Sequence, residues 1–290
     1  MIKKILVPIV GNTSDRRALA TAFLIADQCR GLVDGLCITP HAAVHTPTES
    51  TSIPSALLSQ LHRIASEEQA RVAASARQTF EEVCRQHNRV ATEGTGGPPS
   101  NQASCRWREE TGSAGDILPE EARLADLVVL AQDETARDLG ATGIEAVLFG
   151  SGRALLLAPK SEPTSVGTTV AIAWDGGRAA SRAVAAAMPL LSHADRVLIL
   201  SGDSPALGRA SDPNRLAESL ACHGITAVSH GVTAGGQHMS KVLMRSAVEL
   251  GCDMLVMGAY GHSRFREMVL GGVTRGVLDA PVDLPILMAH

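Results

Sequence analysis

Asp253-Met254-Leu255-Val256-Met257-Gly258-Ala259-Tyr260-Gly261 is followed, nine residues on, by Gly271-Gly272-Val273-Thr274. Met254 to Met257 is apolar without alternation, as expected of a strand buried on both faces in a parallel sheet. Gly258 and Gly261 let the backbone leave that strand in conformations closed to other residues. Gly271, Gly272, Val273 and Thr274 read as the start of the next helix. A helix start carries amides without partners and the positive end of the dipole, so it suits phosphate. The stretch predicts a glycine-lined anion cradle at the carboxyl edge of a parallel sheet.

Working outward, the same unit is written twice. Ile5-Leu-Val-Pro-Ile-Val10-Gly11 aligns with Val170-Ala-Ile-Ala-Trp-Asp175-Gly176, at an offset of 165 positions. Asp126-Leu-Val-Val-Leu-Ala131 aligns with Asp253 to Gly258, at an offset of 127. The first copy therefore carries 38 more residues between those strands. In it, strands are expected at Ile2 to Ile9, Leu32 to Ile38, Leu127 to Ala131 and Ala154 to Ala158. Helices follow Ser14, run from Ala56 to Gln86 with Leu57, Leu58, Leu61, Ile64 and Ala65 on one stripe, and run from Ser113 to Leu124. Residues 39–54 and Glu93 to Ser104 read as loops. After a polar linker, Lys160 to Ser165, the second copy offers strands at Val170 to Trp174, Arg196 to Leu200, Ile225 to Ser229, Met254 to Met257 and Pro285 to Ala289, with helices between. Strands alternating with helices imply parallel βαβ units with right-handed crossovers. Two copies of one unit point to internal duplication, with domains at 1–160 and 166–290.

Gly258-x2-Gly261-x9-Gly271 resembles the ATP-binding signature of universal stress proteins, and both copies resemble that family's domain. The resemblance implies two Rossmann-like (adenine nucleotide alpha hydrolase-like) α/β domains. Each would be a five-stranded parallel sheet, order 3-2-1-4-5, flanked by helices. It also implies dimers, often paired through the closing strand; a tandem chain can make that pairing internally as a pseudo-dimer or add a homodimer contact. In the family a turn aspartate after the first strand contacts the adenosine part, and Asp175 holds that position. The resemblance thus implies an adenine nucleotide, ATP or another, with or without Mg²⁺. Ala173 and Asp175 would hold the adenosine, Met257 and Gly258 would border the ribose or phosphate, and Gly261, Gly271, Gly272, Val273 and Thr274 would cradle the phosphates. The final motif glycine is usually followed by Ser or Thr; here Gly272 stands there, with Thr274 two residues on.

The first copy departs from the signature. It has Val10 where the aspartate should stand, Ala131 for the first glycine, and Gln132-Asp133-Glu134 in the turn, where two acids would repel phosphate. Its span from aspartate to closing strand is 28 positions (Asp126 to Ala154) against 32 (Asp253 to Pro285). It reads as a degenerate domain, leaving one working site. The expected function is a regulatory, stress-response nucleotide-binding protein. The rivals are a ligand-free scaffold and a slow ATPase; for the latter, His262 and Glu267 are the nearby candidates, and no catalytic residue is assigned.

Each feature also has a plainer reading. The glycines can be tight strand-to-helix turns, and Asp175 before a glycine can be a turn residue. Gly150-Ser-Gly-Arg153 reads as a helix C-cap rather than a phosphate loop. His262, Ser263 and Arg264 either touch phosphate or solvate a loop. Trp174 either stacks on a base or packs in the core. His41 and His45 have no ligand cluster nearby, so no metal site is expected.

Composition bounds the rest. The 290 residues are 45% hydrophobic and 19% charged, as in an ordinary globular protein. A net charge of −4 and 2% aromatics argue against a polyanion-binding surface or a base-stacking platform. The six cysteines form no C-x-x-C pair and read as reduced, mostly buried thiols. No apolar run approaches the ~18 residues of a membrane helix, and Met1 to Pro8 reads as a strand rather than a signal peptide. A cytoplasmic protein is expected.

Overall fold

The computed structural model describes residues 1–40, 55–92, 102–131, 143–202, 209–259 and 283–290. Its strands are β1 (Lys4–Ile9), β2 (Leu32–Thr39), β3 (Ala91–Thr92), β4 (Ser104–Thr111), β5 (Leu127–Ala131), β6 (Ala154–Ala158), β7 (Thr169–Ala173), β8 (Arg196–Gly202), β9 (Ala227–Val232), β10 (Met254–Gly258) and β11 (Ile286–Ala289). Its helices are α1 (Asp15–Cys29), α2 (Ser55–Gln86), α3 (Ala114–Arg123), α4 (Gly143–Gly150), α5 (Arg178–Leu191), α6 (Pro213–Ala221) and α7 (Met239–Glu249).

All eleven strands form one sheet, in the order β3-β4-β2-β1-β5-β6-β11-β10-β7-β8-β9. Each half keeps the expected order 3-2-1-4-5, with β4 as the third strand of the first half and β9 as that of the second. The short β3 lies outside β4. Every pairing is parallel except one. At the seam the closing strands β6 and β11 run antiparallel, with Leu155 opposite Met288, Leu156 opposite Leu287 and Leu157 opposite Ile286. A pairing expected between two domains is thus made inside one chain. These six side chains are fully buried, so the seam is core. Ile286→Val should cost about 0.5–1.5 kcal/mol in urea unfolding. The loss should be equal whether read from Trp107 in one half or Trp174 in the other, each isolated by changing its sibling to Phe.

The duplication extends to individual hydrogen bonds. The amides of Lys3 and Lys4 donate to Asp126 Oδ2 at 2.7 and 3.0 Å. The amides of Thr168 and Thr169 donate to Asp253 at 3.1 and 2.9 Å. Each aspartate ties the start of its half's first strand to the fourth.

Three sequence expectations change. The first is the third strand of the first half, β4, which lies partly in and beyond the stretch read as a loop. Cys105 and Trp107 point into the core, while Arg106 and Arg108 alternate onto the other face, where both donate to the fully buried Asp34 of β2. The alternation is that of a strand, masked by two arginines whose partner lies far off in sequence. The second concerns α2. Its later half packs on α1 through Phe80, Val83 and Cys84, but Leu57, Leu61 and Ile64 are 47%, 38% and 57% exposed. The apolar stripe exists, yet these three side chains in its first turns stay largely exposed. The second half's third strand also starts later than expected, at Ala227 rather than Ile225.

α1, α2, α5 and α6 cover one face of the sheet, since their apolar sides feed one continuous core. α3, α4 and α7 cover the other. Gly150 ends α4 and Gly152 takes φ +69°, so that glycine-rich stretch is a helix end, as read. No described helix is long and apolar enough to cross a membrane.

Candidate functional site

In the second half, strand order reverses between β7 and β10. β7 leads outward to β8, and β10 leads the other way to β11. In open α/β sheets ligands enter the crevice outside the carboxyl ends at such a reversal. The register sets Met257 beside Ala173, so Ala173, Asp175, Met257 and Gly258 come together at that edge. Ala173 and Met257 are buried, with side chains in the core under α7. Gly258 and Asp175 are half-buried.

The turn after β7 is built tightly. The Asp175 carboxylate accepts the Gly177 amide at 2.7 Å, closing an Asx turn at the start of α5. Gly176 takes φ +74°, and a Cβ there would lie 2.5 Å from the Ala210 carbonyl carbon. Only glycine fits. Trp174 is half-buried against the core, and its Nε1 donates to Ala210 O at 3.1 Å. That indole fixes the turn from below.

The first turn of α5 is pressed onto the end of β10. A Cβ on Gly258 would lie 2.4 Å from Ala180 N and 2.7 Å from Ala179 C. The absence of a side chain at Gly258 therefore lets the helix start, whose first amides have no intrahelical partner, reach the carboxyl edge. Arg182, one turn further on, donates through Nη1 to His290 O at 2.7 Å. His290 Nδ1 sits 3.2 Å from Ala259 O, and its ring meets the edge of Phe149 from the first half at 4.6 Å. Sequence reasoning missed Arg182 and His290. Neither belongs to a motif, and only the fold brings them beside Ala259.

Gly261, Gly271, Gly272, Val273 and Thr274, with His262, Ser263, Arg264 and Glu267, lie outside the described residues, as do His41 and His45. Among the described residues there is no group of three His, Cys, Asp or Glu arranged to hold a metal ion. Cys252 is buried and burial pushes its thiol up to about 11, as expected of a packed small side chain.

The matching edge of the first half is differently furnished. The amides of Val10, Gly11 and Asn12 point at one carboxylate, that of Asp15, at 3.2, 2.7 and 3.1 Å. Asp15 is fully buried, and its counterpart in the second half is Ala180. Three amides that would suit an outside anion are already taken by the chain's own. α2 also passes directly above: a Cβ on Gly11 would sit 3.0 Å from Val72 O.

Residues 168–287 match the model of the universal stress protein family. Among solved structures, a universal stress protein from Archaeoglobus fulgidus DSM 4304 aligns with a TM-score of 0.66 at 14% identity, over 99% of this chain and 97% of that one. One described as a putative universal stress protein from Pseudomonas aeruginosa UCBPP-PA14 aligns at 0.49 with 16% identity, over 99% and 92%. A universal stress protein solved in complex with cAMP aligns with 55% of this chain and 99% of its own, at 17% identity and a TM-score of 0.34. The first of these fixes the fold across both halves. No curated protein sequence matches the chain.

Proposed function

Because residues 168–287 match the model of the universal stress protein family, we propose that the second half of the chain binds one adenine nucleotide and that the bound nucleotide regulates rather than reacts. The observation that carries the reading is the approach of α5 to Gly258: a helix start, an Asx turn at Asp175 and the ends of β7 and β10 converge at the point where strand order reverses. Asp175 and the backbone at Ala173 hold the adenosine, and Met257 and Gly258 border the ribose. Gly261, Gly271, Gly272, Val273 and Thr274 cradle the phosphates, with any Mg²⁺ carried on those phosphates. The first half takes no part, because Asp15 occupies the corresponding amides.

Calorimetry with ATP, ADP and AMP tests this. One equivalent per chain is expected for at least one of them. Gly261→Val should abolish the heat, and Val10→Asp should add no second equivalent. No heat with any nucleotide removes the reading, and two equivalents contradict the single site.

A further inference from the structure

The two halves differ most in how their second helix covers the sheet. In the first half α2 lies along α1: Arg16 pairs with Glu82 at 3.1 Å, Phe23 stacks on His87 at 4.6 Å, and Arg89 donates to Asp27 at 3.0 Å. α2 has 32 residues; its counterpart α6 has 9. α5 and α6 consequently leave a cavity of about 600 Å³ between them. Its floor is Val184, Met188, Leu216 and Leu220, and its lip carries Arg215, Glu218 and Cys222.

The same chain holds a surplus of the missing element. Gln69 donates to Pro40 O at 2.8 Å, which sets that point of α2 level with the end of β2. Residues 55–68 therefore run about 20 Å past the sheet edge, at the usual rise of a helix. Leu57, Leu61 and Ile64 lie on one side of that projection, largely exposed. The packed half of α2, from which the projection extends, and the cavity lie on the same face of the sheet.

We propose that the α5–α6 groove receives the projecting turns of α2 from a second copy of this chain. Leu57, Leu61 and Ile64 fill the floor, in the helix-in-groove mode. Charge sets the direction. Arg63 and Glu67, 3.2 Å apart, lie together to one side of the stripe by helical spacing, and Arg215 and Glu218 stand on the lip. An antiparallel seating puts Glu67 against Arg215 and Arg63 against Glu218. One such contact buries a few hundred Å² per side, short of the roughly 1,200–2,000 Å² of a stable complex. Two copies facing each other across a two-fold axis make it twice and close on themselves, whereas a one-way contact would propagate.

Cys222 provides the test, since it is the exposed cysteine and the other five are buried. Leu61→Cys, treated with diamide, should give a disulfide-linked dimer on a non-reducing gel, and Leu61→Cys combined with Cys222→Ser should give none. Sedimentation at micromolar concentration should show dimer for the wild type and monomer for Leu61→Glu and for Met188→Glu, each with unchanged circular dichroism. A wild-type monomer, a dimer that survives Leu61→Glu, or a cross-link that persists without Cys222 would overturn the proposal.

Discussion

Replacing Asp34 by alanine should lower the unfolding free energy by about 3–5 kcal/mol, because three cations would lose their shared buried anion. Asp34 is fully buried on β2. Arg106 grips it with two bonds of 2.8 Å. Arg108 adds bonds of 3.2 and 3.1 Å, and Lys4 Nζ lies 3.2 Å away. Arg108 also reaches Glu121 on α3, so the cluster fastens β1, β2, β4 and one covering helix. Arg106 and Arg108 would remain beside the core with one carboxylate too few. Urea unfolding followed by far-ultraviolet circular dichroism measures the loss; a change under about 1 kcal/mol would mean that water serves the arginines as well.

The pH dependence carries a definite sign. Burial pushes the Asp34 carboxyl up, but the hydrogen bonds from Arg106 and the charge and hydrogen bonds of Arg108 outweigh it and hold it below its ordinary value. A group whose folded-state pKa is depressed adds stability above its unfolded value, about 3.9, and loses it as pH falls through the folded one. The gap between wild type and Asp34→Ala should therefore be complete at neutral pH. It should narrow only below about pH 4.

That cluster also explains why one strand was hidden. Strands flanked on both faces read plainly from their apolar runs, as at Ile5 to Ile9, Leu127 to Ala131 and Val170 to Ala173. β4 presents Arg106 and Arg108 at alternate positions, and nothing local shows that Asp34, some 70 residues earlier, neutralises them. The order of the sheet and the pairing of the closing strands came from the family resemblance rather than from the residues; the antiparallel seam depends on which edges meet, which no local pattern records. At the candidate site, the family resemblance and the strand alignment singled out Asp175, Ala173, Met257 and Gly258, and the register sets Met257 beside Ala173. Arg182 and His290 were not, since each reaches the edge through tertiary placement alone. In the first half, Val10 and Ala131 announced a lost signature. The filling of its amides by Asp15 is a matter of side-chain direction, which spacing does not encode.

Gly258→Val should be the most damaging single change at the site. Its Cβ would lie 2.4 Å from a backbone nitrogen of α5 and 2.7 Å from a backbone carbon, and backbone cannot turn aside as a flexible side chain can. Either α5 lifts from β10 or the strand end moves, at about 3 kcal/mol or more. The aligned Ala131 already carries a Cβ, so Ala131→Gly should cost only about 1 kcal/mol, the usual loss on placing glycine in a strand. Comparing Gly258→Val with Gly261→Val then separates two roles for the motif. If the glycines served only to pack a strand against a helix, stability would fall in proportion to each clash and nucleotide would be irrelevant to both. On the binding reading, Gly261→Val abolishes the calorimetric heat while the unfolding midpoint stays within a few degrees of wild type. Gly258→Val loses both. A Gly261→Val protein that binds nucleotide normally would reduce the motif to packing.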